Sequence, residues 1–337
     1  MYNVAVAGHI CLDLTPNLPL GIGMLPGHLY DIGGIISRPG GCVVNVGAAL
    51  VGLGLDPSLW GTIGADDLGD TVIREMATMG LRTDSIHRSG VAGTSYSIVI
   101  EPAGMNRTFW HHTGANEDFD GSIVHLEGDD LLHVGYPSLV PGLLTGGGGP
   151  LEHLMRRARG RGVTTSLDLA VVDPDSPTGH LDWHGILDTT LPQVDVLSPS
   201  VDDLTSALET GPVTTQDDLL VLADDLISKG VAIVMISAGE DGLLLRTAGA
   251  DRFASGGRAL ETLGADWTDV TLFAPAKASD EVVTTNGAGD AASAGLLYGL
   301  AAGLSPAETT DLATSVAQRW IQQKDLSPDV VGGLPAK

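Results

Sequence analysis

Short apolar runs recur along the chain, each bounded by Gly, Pro or Asp: "YNVAVAG", "PSLWGTIG", "LLHVG", "VTTSLDLA", "VDVLSPS" and "VAIVMISAG". Such runs predict short strands buried on both faces. Stretches with helical spacing lie among them: "DDLGDTVIREMATMG", closed by Gly80, then "LEHLMRRARGRG", "DDLLVLADDLISKG" and "SPAETTDLATSVAQRWIQQ". "GGCVVNVGAALVGLG" is small and apolar all round and predicts a buried helix from a glycine turn to near Gly54. Strands alternating with helices imply a mostly parallel sheet covered on both faces, an α/β fold.

Two regions depart from this rhythm. "LDLTPNLPLGIGMLPGHLYDIGGIISRPGG" is rich in Pro and Gly and predicts loops and short strands. "GTSYSIVIEP" and "NRTFWHHT", separated by "AGM", predict a hairpin. Residues 14–38 and 90–112 therefore read as insertions that pair into one small accessory sheet. Residues 1–13, 39–89 and 113–337 are left as the body. The run Gly146 to Gly149 reads as a flexible loop without chemistry.

Composition narrows the function. Apolar residues make up 43% of the 337, enough for a sizeable core, and glycine is abundant at 46. Seventeen Lys and Arg against 42 Asp and Glu give a formal net charge of -25. That balance argues against nucleic acid or an anionic membrane as partner. A phosphate-bearing ligand must then be held by backbone N–H groups, a metal or a few chosen Arg. Cys11 and Cys42 sit among small apolar residues and read as buried thiols. The N-terminal stretch lacks the pattern of a signal peptide and no apolar run is long enough to span a bilayer, so a cytoplasmic protein is expected.

The stretch "VVTTNGAGDAASAG", Val282 to Gly295, holds the candidate chemistry. A glycine turn at the start of a helix leaves N–H groups uncovered, with the helix dipole behind them, and such an end attracts anions. A carboxylate there, Asp290, is either a helix cap or a base beside a bound phosphoryl group. No P-loop motif occurs, and "GHICLD" after the first strand is not a dinucleotide fingerprint.

Taken together, these segments resemble the ribokinase-like family, the PfkB carbohydrate kinases, over nearly the whole chain. Its C-terminal signature, Asp-Thr-x-Gly-Ala-Gly-Asp, reads here Thr284 to Asp290. Its Gly-Gly and following Asn are Gly40, Gly41 and Asn45. "GTIGADDLG" and the segment ending in Gly114, Ala115 and Asn116 also match, and "SAGEDG" is similar to the family's nucleotide loop. The resemblance implies a doubly wound, mostly parallel three-layer sandwich with a small β-sheet lid. It implies ATP and Mg²⁺ as cofactors and a sugar as partner, and a homodimer through the lid is a further expectation. Carried over by position, Asp290 is the catalytic base, and Gly287, Ala288 and Gly289 form the anion hole. Asp13, Gly40, Gly41 and Asn45 face the acceptor. Ser237, Gly239, Gly242 and Asn286 belong to the nucleotide side.

Three positions depart from the pattern. Thr284 stands where the family has an Asp that in many members helps bind a monovalent cation, which weakens the expectation of such a site. Ser200 and Asp203 in "LSPSVDDL" stand for an Asn and a Glu, and Asp203 keeps a carboxylate for a water-mediated magnesium contact. Asp168, after a strand, either lines the acceptor pocket or caps a turn. His111 and His112 are adjacent on a strand and so point to opposite faces, which makes them poor joint metal ligands; ordinary strand packing is expected of both. Arg38 and Arg107 are the cations of the acceptor-side stretches. The expected activity is ATP-dependent phosphorylation of a primary hydroxyl of a small neutral sugar. The alternatives are a nucleoside kinase, with Tyr96, Phe109 and Trp110 free to stack on a base, and a catalytically silent sugar- or nucleotide-binding protein.

Overall fold

The computed structural model describes residues 1–18, 25–100, 108–279 and 281–331. Its strands and helices follow in chain order: β1 Val4–Gly8, β2 Cys11–Pro16, β3 Ile35–Gly40, α1 Cys42–Gly52, β4 Ser58–Gly64, α2 Asp67–Thr78, β5 Ile86–Ser89, β6 Tyr96–Ile100 and β7 Thr108–His112. Then come β8 Leu131–Gly135, α3 Pro141–Arg159, β9 Thr164–Leu167, α4 Trp183–Thr190, β10 Val196–Leu197, α5 Val201–Leu208, α6 Gln216–Ser228, β11 Ile233–Ser237 and β12 Leu243–Thr247. The last are α7 Ala250–Ala254, α8 Arg258–Glu261, β13 Thr271–Ala274, α9 Ala288–Ala302, α10 Pro306–Ile321 and the short α11 Pro328–Val331.

Nine strands form one sheet in the order β13-β12-β11-β10-β9-β8-β1-β4-β5. All neighbours pair parallel from β5 to β11; β12 and β13 are added antiparallel at the edge. The continuous apolar runs are explained by burial on both faces. Along β1, Val4 and Val6 pack into one core while Ala5 and Ala7 pack into the other. β11 repeats the alternation with Ile233 and Met235 against Val234 and Ile236. The first core is closed by α1, α2, α9 and α10, the second by α3, α5 and α6, so the sheet is doubly wound. No helix among the described residues is long and apolar enough to cross a membrane.

A separate four-stranded sheet has the order β3-β2-β6-β7. β2 pairs antiparallel with β3 and parallel with β6, and β6 pairs antiparallel with β7. The expected hairpin is this last pair; its turn and Arg107 lie outside the described residues. The chain crosses between body and small sheet four times: between β1 and β2, between β3 and α1, between β5 and β6, and after β7. Hydrogen bonds fasten these crossings to one another. Val43 N–H donates to the His9 carbonyl (3.2 Å), and Ala115 N–H to that of Gly93 (2.7 Å). The Asn116 amide accepts from Ile10 N–H (3.3 Å) and donates to Ile10 C=O (3.0 Å).

The glycine run is non-helical, as the sequence suggests, and it joins two helical segments within the stretch α3. Gly146, Gly147 and Gly148 have φ of 61°, 74° and 87°, which interrupts the helix. Pro150 then falls where a second helical segment starts, a position at which its missing N–H costs nothing.

Candidate active site

β1, β8 and β9 end where α1 and α9 begin, and the polar residues of the site collect there, at the carboxyl ends of the strands. Gly287 caps α9 with φ 77°. A Cβ at this position would lie 2.9 Å from Trp320 Nε1 and 3.1 Å from Asn45 Nδ2, so the backbone turns where a side chain has no room. The Trp320 indole donates to the Asn286 carbonyl (2.8 Å) and fixes the turn. Ala288 and Gly289 open the helix, and Gly289 faces open space. First-turn N–H groups have no partner within their own helix.

Asp290 follows in that turn and is buried. Asn45, from α1, donates its amide to Oδ2 (2.8 Å), and the Tyr136 hydroxyl, from just beyond β8, donates to Oδ1. Burial pushes the Asp290 carboxyl up to about 6; the Tyr136 and Asn45 donors restrain the rise, while the charges of Asp203 and Asp13 add to it. Asp168 is also buried. It accepts from Leu169 N–H (2.8 Å) and Ser293 Oγ (3.4 Å), and burial and then the charges of Asp203 and Asp290 raise its carboxyl well above the usual range.

Asp13, on β2, accepts from the Asn286 amide (3.0 Å). Gly40 lies against it: a Cβ there would be 2.6 Å from Asp13 Oδ2. Gly41 has φ 89° and abuts His9, whose carbonyl oxygen would be 2.6 Å from an added Cβ. Arg38 stands directly across from Asp13 in the β2–β3 register and is exposed.

Asp203 closes a capping box at the start of α5. Its Oδ2 accepts from Ser200 N–H (2.8 Å) and Ser200 Oγ (2.6 Å), and burial raises its carboxyl to about 6 against these bonds. Ser200 in turn forms an isolated parallel bridge with Ser237, at the end of β11. Gly239 (φ 57°) and Gly242 (φ 101°) shape the turn into β12. A Cβ at Gly242 would overlap the Ala274 carbonyl oxygen at 2.1 Å, so this turn lies against the end of β13. There a cleft of about 580 Å³ opens between the chain after β13 and α10, lined by Phe273, Pro275, Lys277, Thr310 and Thr314 among others. Lys277 Nζ meets Asp311 Oδ1 at 2.7 Å on its wall.

The fold thus joins Asp290 with Asn45 and Asp13 with Asn286, and electrostatically couples Asp168 and Asp203 to Asp290. Ser237, Gly239 and Gly242 are grouped apart from these, beside the cleft. Asn286, read from the sequence as part of the nucleotide side, turns its amide toward Asp13. Asp168, Asp203 and Asp290 enter no ion pair among the described residues. No group of three or more His, Cys, Asp or Glu among those residues is arranged to hold a metal ion alone.

Tyr136 and His9 escaped the sequence reading. Tyr136 belongs to no motif, and only the fold carries it across 154 positions to Asp290. His9 lies beside Tyr136, with ring centroids 5.7 Å apart.

Comparison with known proteins agrees with this geometry. The family described as pfkB family carbohydrate kinase matches residues 1–330. An uncharacterized sugar kinase of Archaeoglobus fulgidus is 24% identical over 275 residues, covering 80% of this chain and 93% of that protein. A 2-dehydro-3-deoxygluconokinase of Bacillus subtilis is 23% identical over 319 residues, covering 92% and 88%. The structure of Arabidopsis thaliana ribokinase complexed with ribose and ATP superposes with a TM-score of 0.70 at 17% identity, covering 95% of this chain and 93% of that one. This last likeness speaks to the fold.

Proposed function

The chain belongs to the pfkB family of carbohydrate kinases, phosphotransferases with an alcohol as acceptor, and from that premise we propose that it transfers the γ-phosphoryl group of ATP to a primary hydroxyl of a small neutral sugar. One observation carries the reading: a buried carboxylate, Asp290, in the first turn of a glycine-capped helix, held on both oxygens by neutral donors. A carboxylate has about four lone-pair sites, and these two bonds leave room for an acceptor hydroxyl.

In the proposed reaction the acceptor O–H gives its proton to Asp290 while its oxygen bonds to the γ-phosphorus. The bond from that phosphorus to the β–γ bridging oxygen breaks, and ADP leaves with the electron pair. The first-turn N–H of Gly289 and the dipole of α9 receive the charge on the transferring group, joined by Ala288 N–H once it leaves its long bond to the Thr285 carbonyl (3.4 Å). Asp13, steadied by Asn286, binds hydroxyls of the acceptor. The cleft beside Gly242 suits the base of the nucleotide, with apolar walls and a few polar groups.

Mg²⁺ fits the carboxylates at the site. Asp168 and Asp290 are buried and Asp203 is half-buried; desolvation raises all three carboxyls, the charge of Asp203 adds to the rise at Asp168 and Asp290, and none has a cationic partner among the described residues. Magnesium usually takes one or two carboxylates plus substrate phosphates rather than a full protein cage. Asp203 would hold it, through water, and the ion would neutralise phosphate charge.

ADP release with ATP and Mg²⁺ should be measured against ribose, fructose, fructose 6-phosphate, 2-dehydro-3-deoxygluconate and adenosine. The highest kcat/KM is expected for a neutral sugar. A phosphosugar or sugar acid that wins, with a preference abolished by Arg38→Ala, would overturn the neutral acceptor. Binding of sugar or ATP without ADP release would favour a silent binding protein.

A further inference from the structure

One polar pair at the site has no role so far. His9 follows β1 in the body and His111 lies in β7 of the small sheet, and their rings meet edge to face with centroids 5.1 Å apart. His9 is 3% exposed, and neither of its ring nitrogens has a hydrogen-bond partner. His111 Nδ1 lies 3.0 Å from Ser97 Oγ, while its Nε2 is buried and unpartnered. Three buried ring nitrogens are therefore uncommitted in one place, although buried polar groups in folded proteins are nearly always paired. An ordinary core histidine looks different: His133, inside β8, has one unpartnered nitrogen, but its other is bound to Ser166 at 2.8 Å.

We propose that His9 and His111 form a second acceptor subsite, which binds hydroxyls of the sugar other than the one phosphorylated and so sets specificity for an uncharged polyol. This rests on the kinase reading above. The subsite adjoins the proposed base through Tyr136, whose ring packs on His9 and whose hydroxyl donates to Asp290. A sugar with one hydroxyl at Asp290 then lies within one side chain of the two imidazoles.

The chemistry of the pair selects the ligand. Burial, and then the neighbouring His111, hold the His9 imidazole well below its usual range; burial, and then His112, bring His111 to about 4. Both rings are neutral near pH 7. A neutral imidazole offers one donor and one acceptor, and a hydroxyl is also both, so it pairs with whichever nitrogen faces it. A carboxylate or phosphate oxygen only accepts. It would need an N–H on each facing nitrogen, and the environment opposes the protonation that supplies a second N–H. The two rings also come from the two sides of the crevice, so a sugar that bonds to the uncommitted nitrogens of both touches the body and the small sheet together.

The experiment compares the full-length wild type with His9→Leu, His111→Leu, His9→Asn and His111→Gln in the ADP-release assay. The probes are ribose or fructose, whichever the wild type prefers, and the corresponding deoxy sugars. The acceptor KM is expected to rise about tenfold or more in each Leu variant and to recover largely in the Asn and Gln variants, while KM for ATP stays unchanged. At least one deoxy sugar should show no further rise in the Leu variants, because it already lacks the hydroxyl involved. If a Leu variant does not fold, the matching Ala variant takes its place: acceptor KM should rise for the parent sugar and not for that deoxy analogue. Unchanged acceptor KM in all folded variants overturns the subsite while the kinase reading stands. A wild type that transfers phosphate to no sugar overturns both. A preferred acceptor carrying a carboxylate or phosphate, lost in the Leu variants, overturns the selection for uncharged polyols.

Discussion

Replacing Asp290 by Asn should remove activity and, at the same time, stabilise the protein. Burial raises this carboxyl to about 6, against about 3.9 for an unperturbed aspartate. At about 1.36 kcal/mol for each tenfold difference in proton affinity, the ionised form costs the folded state on the order of 3 kcal/mol. The sign follows from a raised folded-state pKa in an acid. The folded protein binds this proton more tightly than the unfolded chain, so the penalty is absent below about pH 4, grows between pH 4 and 6, and is complete above about pH 6. Asn carries no charge at any pH. Its Oδ1 can still accept from Tyr136, and the Asn45 amide can turn to present its oxygen to the new NH₂. In a protein of this size the gain corresponds to a rise in Tm of about 4 °C at pH 8. Turnover should fall by about 10²–10⁴-fold, as expected for loss of a positioned base. The assays are thermal melts at pH 4 and pH 8 with EDTA, to keep divalent cations from relieving the charge, alongside ADP release. A variant no more stable than wild type at pH 8, or one that retains most of its kcat, would refute the reasoning.

Four further outcomes are expected. Tyr136→Phe removes a donor that restrains the rise of the Asp290 carboxyl, which stands at about 6, so the acidic limb of the kcat/KM profile should move to higher pH; an unmoved limb denies Tyr136 a positioning role. Asp203→Asn keeps an acceptor for Ser200 but loses the charge, so the Mg²⁺ concentration for half-maximal activity should rise about tenfold, and an unchanged Mg²⁺ titration places the ion elsewhere. Added K⁺ should activate little in buffer free of Na⁺ and K⁺, because Thr284 offers a neutral hydroxyl; strong activation at low millimolar K⁺ contradicts this. Amide exchange in β2, β3, β6 and β7 should slow when a sugar and a nonhydrolysable ATP analogue are added, and a lack of change in all four strands argues against closure.

What the sequence made legible is local or periodic. Continuous apolar runs gave the strands of the large sheet, because burial on both faces leaves no alternation to disguise them. The turn at Gly287 and the position of Asp290 in the first turn of α9 are properties of neighbouring residues and survive without the fold. Tyr136 and His9 were illegible because each is a single residue after a strand, and their meaning arises only where the carboxyl ends of β1 and β8 are set side by side. Asn286 was grouped with the nucleotide loop by its neighbours in sequence, whereas the turn directs its amide to Asp13, which is 273 positions away. The small sheet was read as insertions at 14–38 and 90–112, whereas its strands β2 and β3 also take in residues 11–13 and 39–40, and its mixed order, with β2 parallel to β6, is set by which crossings lie next to one another. The left-handed glycines within α3 were read as a loop, since a run of glycine carries no periodicity; Pro150 was the sign that a helix resumes.

The four crossings between body and small sheet are not independent hinges. The first is bonded to the second through Val43 and the His9 carbonyl, the first to the fourth through Asn116 and Ile10, and the third to the fourth through Ala115 and Gly93. Asp66, which caps α2 by accepting from Gly69 N–H (2.9 Å), also accepts from both the N–H (2.8 Å) and the hydroxyl (2.6 Å) of Thr94, at the third crossing. Mechanically this makes a stiff spine. Sliding or twisting of one sheet over the other would break several of these bonds at once, whereas rocking about the spine breaks none of them. A rocking motion of the small sheet would leave this spine intact, and resistance to it would come from contacts at a distance from the axis. The His9 and His111 rings bridge the two parts close to that axis, where a small rotation separates them least.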